Sequence, residues 1–189
     1  MKRLSLHDPL LIELACEILQ NDGVIVYPTD TLYGFGVDAT SAKAIGKINS
    51  IKRRSGPISV IAPDKKTAKS WIVCSDPEWN LIKEKLGGIT TIIAPVRESV
   101  VHTSIIGSDY TLGIRIPDQS VILDMAKQFE KPITTTSVNR SGHPAMNDPD
   151  QIISEFGNDI DLIIDAGPLS PSKGSSIFRL HHGELEVIR

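Results

Sequence analysis

Gly23-Val24-Ile25-Val26-Tyr27-Pro28-Thr29-Asp30-Thr31-Leu32-Tyr33-Gly34 is the stretch on which the fold turns. Four apolar residues, Val24–Tyr27, stand between a glycine and a proline, the pattern of a short strand buried on both faces. Upstream, Leu10, Leu11, Leu14, Ala15, Ile18 and Leu19 recur at helical spacing. Asp8 reads as the N-cap of that helix, Pro9 as its first residue and Gly23 as its stop. Downstream the alternation continues. Ser41 caps a helix whose buried face is Ala44, Ile45, Ile48 and Ile51, and a strand follows at Ile58–Ala62. A helix starts near Asp76-Pro77, and strands are expected at Thr90–Ala94, Leu112–Ile116 and Ile133–Thr136. The last two are separated by a helix through Val121, Ile122, Met125, Ala126 and Phe129. A helix near Asp148–Phe156, a strand at Leu162–Asp165 and a hairpin of Ile177–Leu180 with Leu185–Ile188 complete the chain. Crossovers together with a hairpin give an α/β fold, a mixed parallel/antiparallel sheet with helices packed on it, in one domain spanning 1–189.

The composition agrees with a globular chain: 189 residues, 40% hydrophobic and 23% charged. The net charge of −3 excludes a basic field over the whole surface, so any nucleic-acid contact has to be local. Cys16 and Cys74 are too few for a disulfide framework and have no zinc-ligand spacing. The N-terminus lacks a signal-peptide core and no run approaches 18 apolar residues, so a cytoplasmic location without membrane attachment is expected.

Two motif matches do not survive their context. Gly34-Phe35-Gly36-Val37-Asp38-Ala39 fits GxGxxG/A, but no strand ends at its first glycine, no helix opens there and no acid follows about 20 residues on. Its glycines read instead as a tight polar loop. Ser170-Pro171-Ser172-Lys173 fits SxxK without the partner motifs of serine acyltransferases. The five histidines, His7, His102, His143, His181 and His182, are scattered and support neither a catalytic dyad nor a metal site.

Three polar clusters stand at or beyond the ends of apolar elements, where open α/β sheets collect ligands. The first is Pro28–Gly34. The second, Lys52-Arg53-Arg54, ends a helix inside Lys43–Lys69, a stretch with eight basic residues and one acid, Asp64. Such a cluster can complement a helix dipole or hold a polyphosphate or nucleic-acid backbone. The third, Thr134–Gly142, brings hydroxyls and an amide suited to phosphate oxygens or a purine edge. Arg115 lies in an apolar strand before Pro117 and has to find an anion, either an acidic side chain or a ligand carboxylate.

Together and in order these segments resemble the YrdC-like family of threonylcarbamoyl-AMP synthases, from Gly23 to about Phe178. The resemblance rests on Tyr27–Gly36, Lys52-x-Arg54, Gly113-Ile114-Arg115-Ile116-Pro117, Thr136-Ser137-Val138-Asn139-Arg140-Ser141-Gly142 and Gly174-Ser175-Ser176-Ile177. It implies the short, single-domain form, a twisted sheet with a deep basic cavity on its concave face, as in double-stranded-RNA-binding proteins of this fold. It further implies that L-threonine, bicarbonate and ATP give threonylcarbamoyl-AMP and pyrophosphate, for transfer to the adenosine beside the anticodon of tRNA by a separate transferase machinery. On the same ground Lys52 and Arg54 hold the ATP phosphates as the catalytic pair, and Asn139 and Ser141 hold the nucleotide. Thr31, Arg115, Ser137 and Ser175 line the threonine side, and Mg2+ arrives with ATP without protein ligands. The chain departs from the family pattern at Lys85-Leu86-Gly87-Gly88-Ile89-Thr90, at Val138, at Ser176 and at Arg179, where an acidic or polar residue is more common.

Two other readings remain at this level. A non-catalytic RNA- or tRNA-binding module would use Lys43–Lys69 as a phosphate-tracking patch, although only 5% of the chain is aromatic and base readers usually stack on aromatics. A carbamoyl-adenylate synthase, like the related domain of hydrogenase-maturation proteins, would take carbamoyl phosphate, but the acylphosphatase-like and zinc-binding segments of those proteins are missing.

Overall fold

The computed structural model describes residues 1–189. Its strands are β1 (Lys2–Ser5), β2 (Ile25–Pro28), β3 (Tyr33–Gly36), β4 (Ser59–Ile61), β5 (Thr90–Pro95), β6 (Thr111–Arg115), β7 (Ile133–Ser137), β8 (Leu162–Asp165), β9 (Ser176–His181) and β10 (Glu184–Val187). The helices are α1 (Leu11–Gln20), α2 (Ala42–Lys52), α3 (Lys65–Trp71), α4 (Asp76–Lys85), α5 (Ser120–Phe129) and α6 (Pro149–Phe156). The strands form a mixed sheet in the order β1-β8-β2-β3-β7-β4-β6-β5-β9-β10. Pairs β1/β8, β2/β8, β4/β6 and β5/β9 are parallel, and the others are antiparallel. The α/β architecture expected from the sequence is the one observed.

Side-chain alternation splits the core between the two faces of the sheet. Val24, Val26, Phe35 and Ile163 point to one face, which α2, α4 and α6 cover. Ile25, Tyr27, Ile61, Ile133, Leu162 and Ile164 point to the other, where α1 and α5 pack. Those two helices cover only part of their face. Ile133 pairs with Ile61, Ile61 with Arg115, Arg115 with Thr91 and Thr91 with Ile177, so one cross-strand row runs from apolar core into polar side chains. Where α1 and α5 stop, that face is left for a ligand.

Four local readings are corrected. Tyr33–Gly36 is a strand, not a loop. It forms a hairpin with β2 and pairs with β7. Gly36 is required by close approach, since a Cβ there would meet Tyr27 Cε1 at 2.6 Å and Ile133 Cγ2 at 3.1 Å. The first helix begins at Leu11, and Asp8 instead closes a preceding turn by accepting from the Leu10 N–H at 2.9 Å. At the other end of α1, Asp22 takes the left-handed conformation at φ 58°, and the Gly23 N–H reaches Ile18 O at 2.8 Å. β1 and α3 were not expected: β1 is a charged edge strand defined by its pairing with β8, and α3 is a short helix capped by Asp64. No helix is long and apolar enough to cross a membrane.

Candidate functional site

The cleft is built where β2 leaves the sheet. At the tip of the β2–β3 hairpin, Thr29 Oγ1 donates to Leu32 O at 2.8 Å and accepts from the Thr31 and Leu32 N–H groups at 3.2 Å. That side-chain turn brings Thr31 and Asp30 to the C-terminal end of β6. There Arg115 donates through Nη2 to the Asp30 carboxylate and to Thr31 Oγ1 (2.9 Å), and through Nε to Gly88 O (3.4 Å). Asp30 also accepts from the Asp118 N–H at 3.1 Å. Burial lowers the Arg115 pKa from the ordinary arginine value, and the Asp30 charge opposes that effect. Of the two partners left open by the sequence, an acidic side chain or a ligand, the structure supplies the first, while Arg115 still lines the cleft.

The cleft has a volume of about 270 Å³. Arg54, Arg115 and Arg189 are its cationic lining residues, and Ser137, Thr91 and Ser175 are among its hydroxyls. Thr91 Oγ1 and Ser175 Oγ are 2.8 Å apart. Thus Thr31, Arg54, Arg115, Ser137 and Ser175, five of the residues singled out from the sequence, meet in one concavity. Arg189 escaped the sequence reading because it belongs to none of the motifs. It is brought in by backbone pairing with Ile177, and its guanidinium donates to Ser175 O at 2.9 and 3.2 Å.

Lys52, Asn139 and Ser141 are placed differently. Lys52 is 3% exposed, and its ammonium donates to Ser137 O (2.6 Å), Asn139 O (3.2 Å) and Asn139 Oδ1 (2.8 Å). Its three donors are therefore spent behind the cleft wall, not in the cleft. Burial, with Arg54 as a smaller cause, pulls its pKa down to about 8. Asn139 is equally committed: Oδ1 also accepts from Ser137 Oγ at 2.8 Å, and Nδ2 donates to His143 O. Ser141 is exposed, with its N–H donating to Lys52 O at 3.1 Å. The Lys52-x-Arg54 and Ser137-x-Asn139 motifs therefore form one knot that ties the C-terminus of α2 to the exit of β7, and of its members Arg54 and Ser137 line the cleft.

The basic stretch does not behave as a unit. Lys43 pairs with Asp22 and Lys69 with Asp76, Lys47 and Lys65 donate to Asp22 O and Lys83 O, and Lys52 is buried. With five of the eight cations engaged inside the chain, a phosphate-tracking tract along Lys43–Lys69 is not favoured. The glycine match at Gly34–Ala39 is likewise accidental, since both of its first glycines pair within the sheet.

Comparison with known proteins agrees with this architecture. The model of the family described as "Telomere recombination" (Sua5/YciO/YrdC) matches residues 17–189. The chain belongs to the Sua5/YciO/YrdC family. A Methanocaldococcus jannaschii protein, provisionally named a threonylcarbamoyl-AMP synthase, is 32% identical over 181 residues, 95% of this chain and 84% of its own length. Among solved structures, E. coli YciO superposes with a TM-score of 0.87 at 24% identity, covering 100% of this chain and 93% of YciO. P. abyssi Sua5, solved with L-threonine, superposes with a TM-score of 0.88 at 24% identity over 100% of this chain. This chain spans 56% of that Sua5 protein, little more than half. At these identities the two structures speak for the fold.

Proposed function

We propose that the cleft makes threonylcarbamoyl-AMP, with pyrophosphate and water, from L-threonine, bicarbonate and ATP. The observation that carries this reading is a hydroxyl-rich cleft with three arginines, Arg54, Arg115 and Arg189. It suits two anionic reactants, an amino acid and a nucleoside triphosphate, that react with each other. The threonine amine adds to bicarbonate with loss of water, giving a carbamate. A carbamate oxygen then attacks the α-phosphorus of ATP, and the bond to the bridging oxygen breaks as pyrophosphate leaves. Such a transfer requires alignment and charge stabilisation, not a protein nucleophile. The name of the M. jannaschii relative and the L-threonine held by P. abyssi Sua5 support the choice of substrate.

We assign Arg115, preset by Asp30 and Thr31, to the threonine carboxylate, with Ser137 and Ser175 nearby, and Arg54 to the phosphates. Lys52 we assign to holding the Ser137–Asn139 loop in place, and Asn139 and Ser141 to shaping the nucleotide side through that loop. A divalent ion such as Mg2+ fits the triphosphate better than the protein: no group of three or more His, Cys, Asp or Glu side chains is placed to hold a metal, and Asp30 is already paired. The product would supply a transferase acting on tRNA in the cytoplasm. The deciding experiment incubates the purified chain with labelled L-threonine, bicarbonate and ATP and seeks the adenylate by mass spectrometry. Adenylate formation that requires all three is expected, and pyrophosphate release at the same rate without threonine would refute the assignment.

A further inference from the structure

Arg179 has a half-buried guanidinium that makes no hydrogen bond or ion pair within the chain, and its Nε is shut off from water as well. Buried polar groups are nearly always paired, and the two Nη groups, equally without a partner, are open to solvent, so they are the donors that an acceptor from outside would meet. Its position says where. β9 alternates, so Arg179 projects from the same face as Ile177, which lines the cleft, and lies about 7 Å further along the strand. Across the sheet it continues a second row: Thr135 pairs with Ser59, Gly113 with Ile93, and Ile93 with Arg179. Ser59 and Thr135 are cleft residues, and Ser59 Oγ lies where a Cβ on Gly113 would stand. Without a side chain at Gly113, nothing rises from β6 between Ser59 and the Ile93–Arg179 end of the row. The cross-strand neighbour that would neutralise Arg179 is Glu186, but its carboxylate is held by His181 Nδ1 at 3.1 Å.

We propose that Arg179 forms an anion subsite at the far end of the cleft floor, receiving the terminal phosphates of the nucleotide and the pyrophosphate they become. The inference rests on the nucleotide reading given above and adds to it a residue for the leaving group. Arg54 and Arg179 are then separate contacts: Arg54 follows the end of α2, Arg179 stands on β9, next to the last strand of the sheet, and a polyphosphate spans the floor between them.

The test is titration of the intact chain with inorganic pyrophosphate by calorimetry, at fixed ionic strength, for the wild type, R179Q and R179K. Because the Arg179 side chain makes no bond within the chain, the variants should unfold at the wild-type temperature. R179Q should weaken pyrophosphate binding about tenfold, the loss expected for one charge-assisted contact, with R179K intermediate and L-threonine binding unchanged. Equal pyrophosphate affinity in R179Q and wild type would overturn the subsite, as would an equal loss of threonine binding. Loss of pyrophosphate binding in R179Q, in a chain whose wild type forms no threonine adenylate, would uphold the subsite while removing the proposed reaction.

Discussion

Replacing Lys52 with methionine separates the two roles open to that residue. Its ammonium has three acceptors within hydrogen-bond distance, all on Ser137 and Asn139, and is almost fully removed from water. Three charge-assisted bonds at roughly 1.5 kcal/mol each would contribute about 4 to 5 kcal/mol. Burying the charge opposes this. The fall in pKa from 10.5 to about 8 corresponds to about 3 kcal/mol against the protonated form. The difference leaves K52M about 1 to 2 kcal/mol less stable than wild type at pH 7.

The pH dependence has a definite sign. Between pH 8 and 10.5 the unfolded chain binds a proton at Lys52 that the folded chain has released, so folding stability rises with pH in that window. The contribution is complete above the unfolded value and lost as pH falls to about 8. Urea unfolding at pH 7 and pH 9.5 should show the gap between wild type and K52M widening by about 2 kcal/mol. A K52M chain as stable as wild type at pH 7, or a gap that narrows as pH rises, would refute the knot described for Lys52. Full adenylate synthesis by a stable K52M would remove it from the reaction altogether.

Arg54→Ala should leave the unfolding temperature unchanged, since Arg54 is exposed and has no partner in the chain, yet lower adenylate formation about a hundredfold in steady-state assays. Tyr33 donates to Gly167 O and accepts from the Ala166 N–H, both at 2.9 Å, and burial pushes its pKa up to about 12. Stability is therefore lost as pH rises from 10 towards 12, and Y33F should show a shallower loss when melting temperatures are followed across that range. Gly36→Ala places a methyl against Tyr27 and Ile133 and should destabilise the chain by about 1 to 3 kcal/mol in urea, with no change in the m-value.

The strands visible in the sequence were those with long apolar side chains or a uniform apolar run. Leu162–Asp165 falls within the bounds read for it, as do the core positions of α2, because Ala44, Ile45, Ile48 and Ile51 carry an unbroken helical period. Tyr33-Gly34-Phe35-Gly36 stayed hidden for the opposite reason. Its glycines mimic a turn, and the need for Gly36 arises from Tyr27 and Ile133, which come from two other strands. β1 has one inward leucine among charged residues and owes its form to β8. The site divides in the same way. Thr31, Arg54, Arg115, Ser137 and Ser175 each stand in a recognisable local motif. The consumption of Lys52 by Ser137 and Asn139 and the isolation of Arg179 depend on elements distant in sequence, and Arg189 arrives only through its pairing with Ile177 beyond the β9–β10 hairpin.

Such long-range placement also explains how a buried arginine can serve a ligand. Asp30 and Thr31 fix Nη2 of Arg115, and Gly88 O fixes Nε, so the plane of the guanidinium is set before anything binds. Nη1 has no acceptor in the chain and is not among the buried unpaired atoms, which leaves its two N–H donors for a carboxylate in the cleft. A side chain already immobilised loses little further entropy on binding, so the affinity gained per contact is higher than from a free surface arginine. Arg54, exposed and unattached, has the opposite character and suits a reactant whose phosphates shift as pyrophosphate departs. The hairpin tip at Thr29–Leu32 thus does more than border the cleft: by presenting Asp30 to β6 it makes Arg115 rigid, and only one side of the reaction is held by a rigid cation.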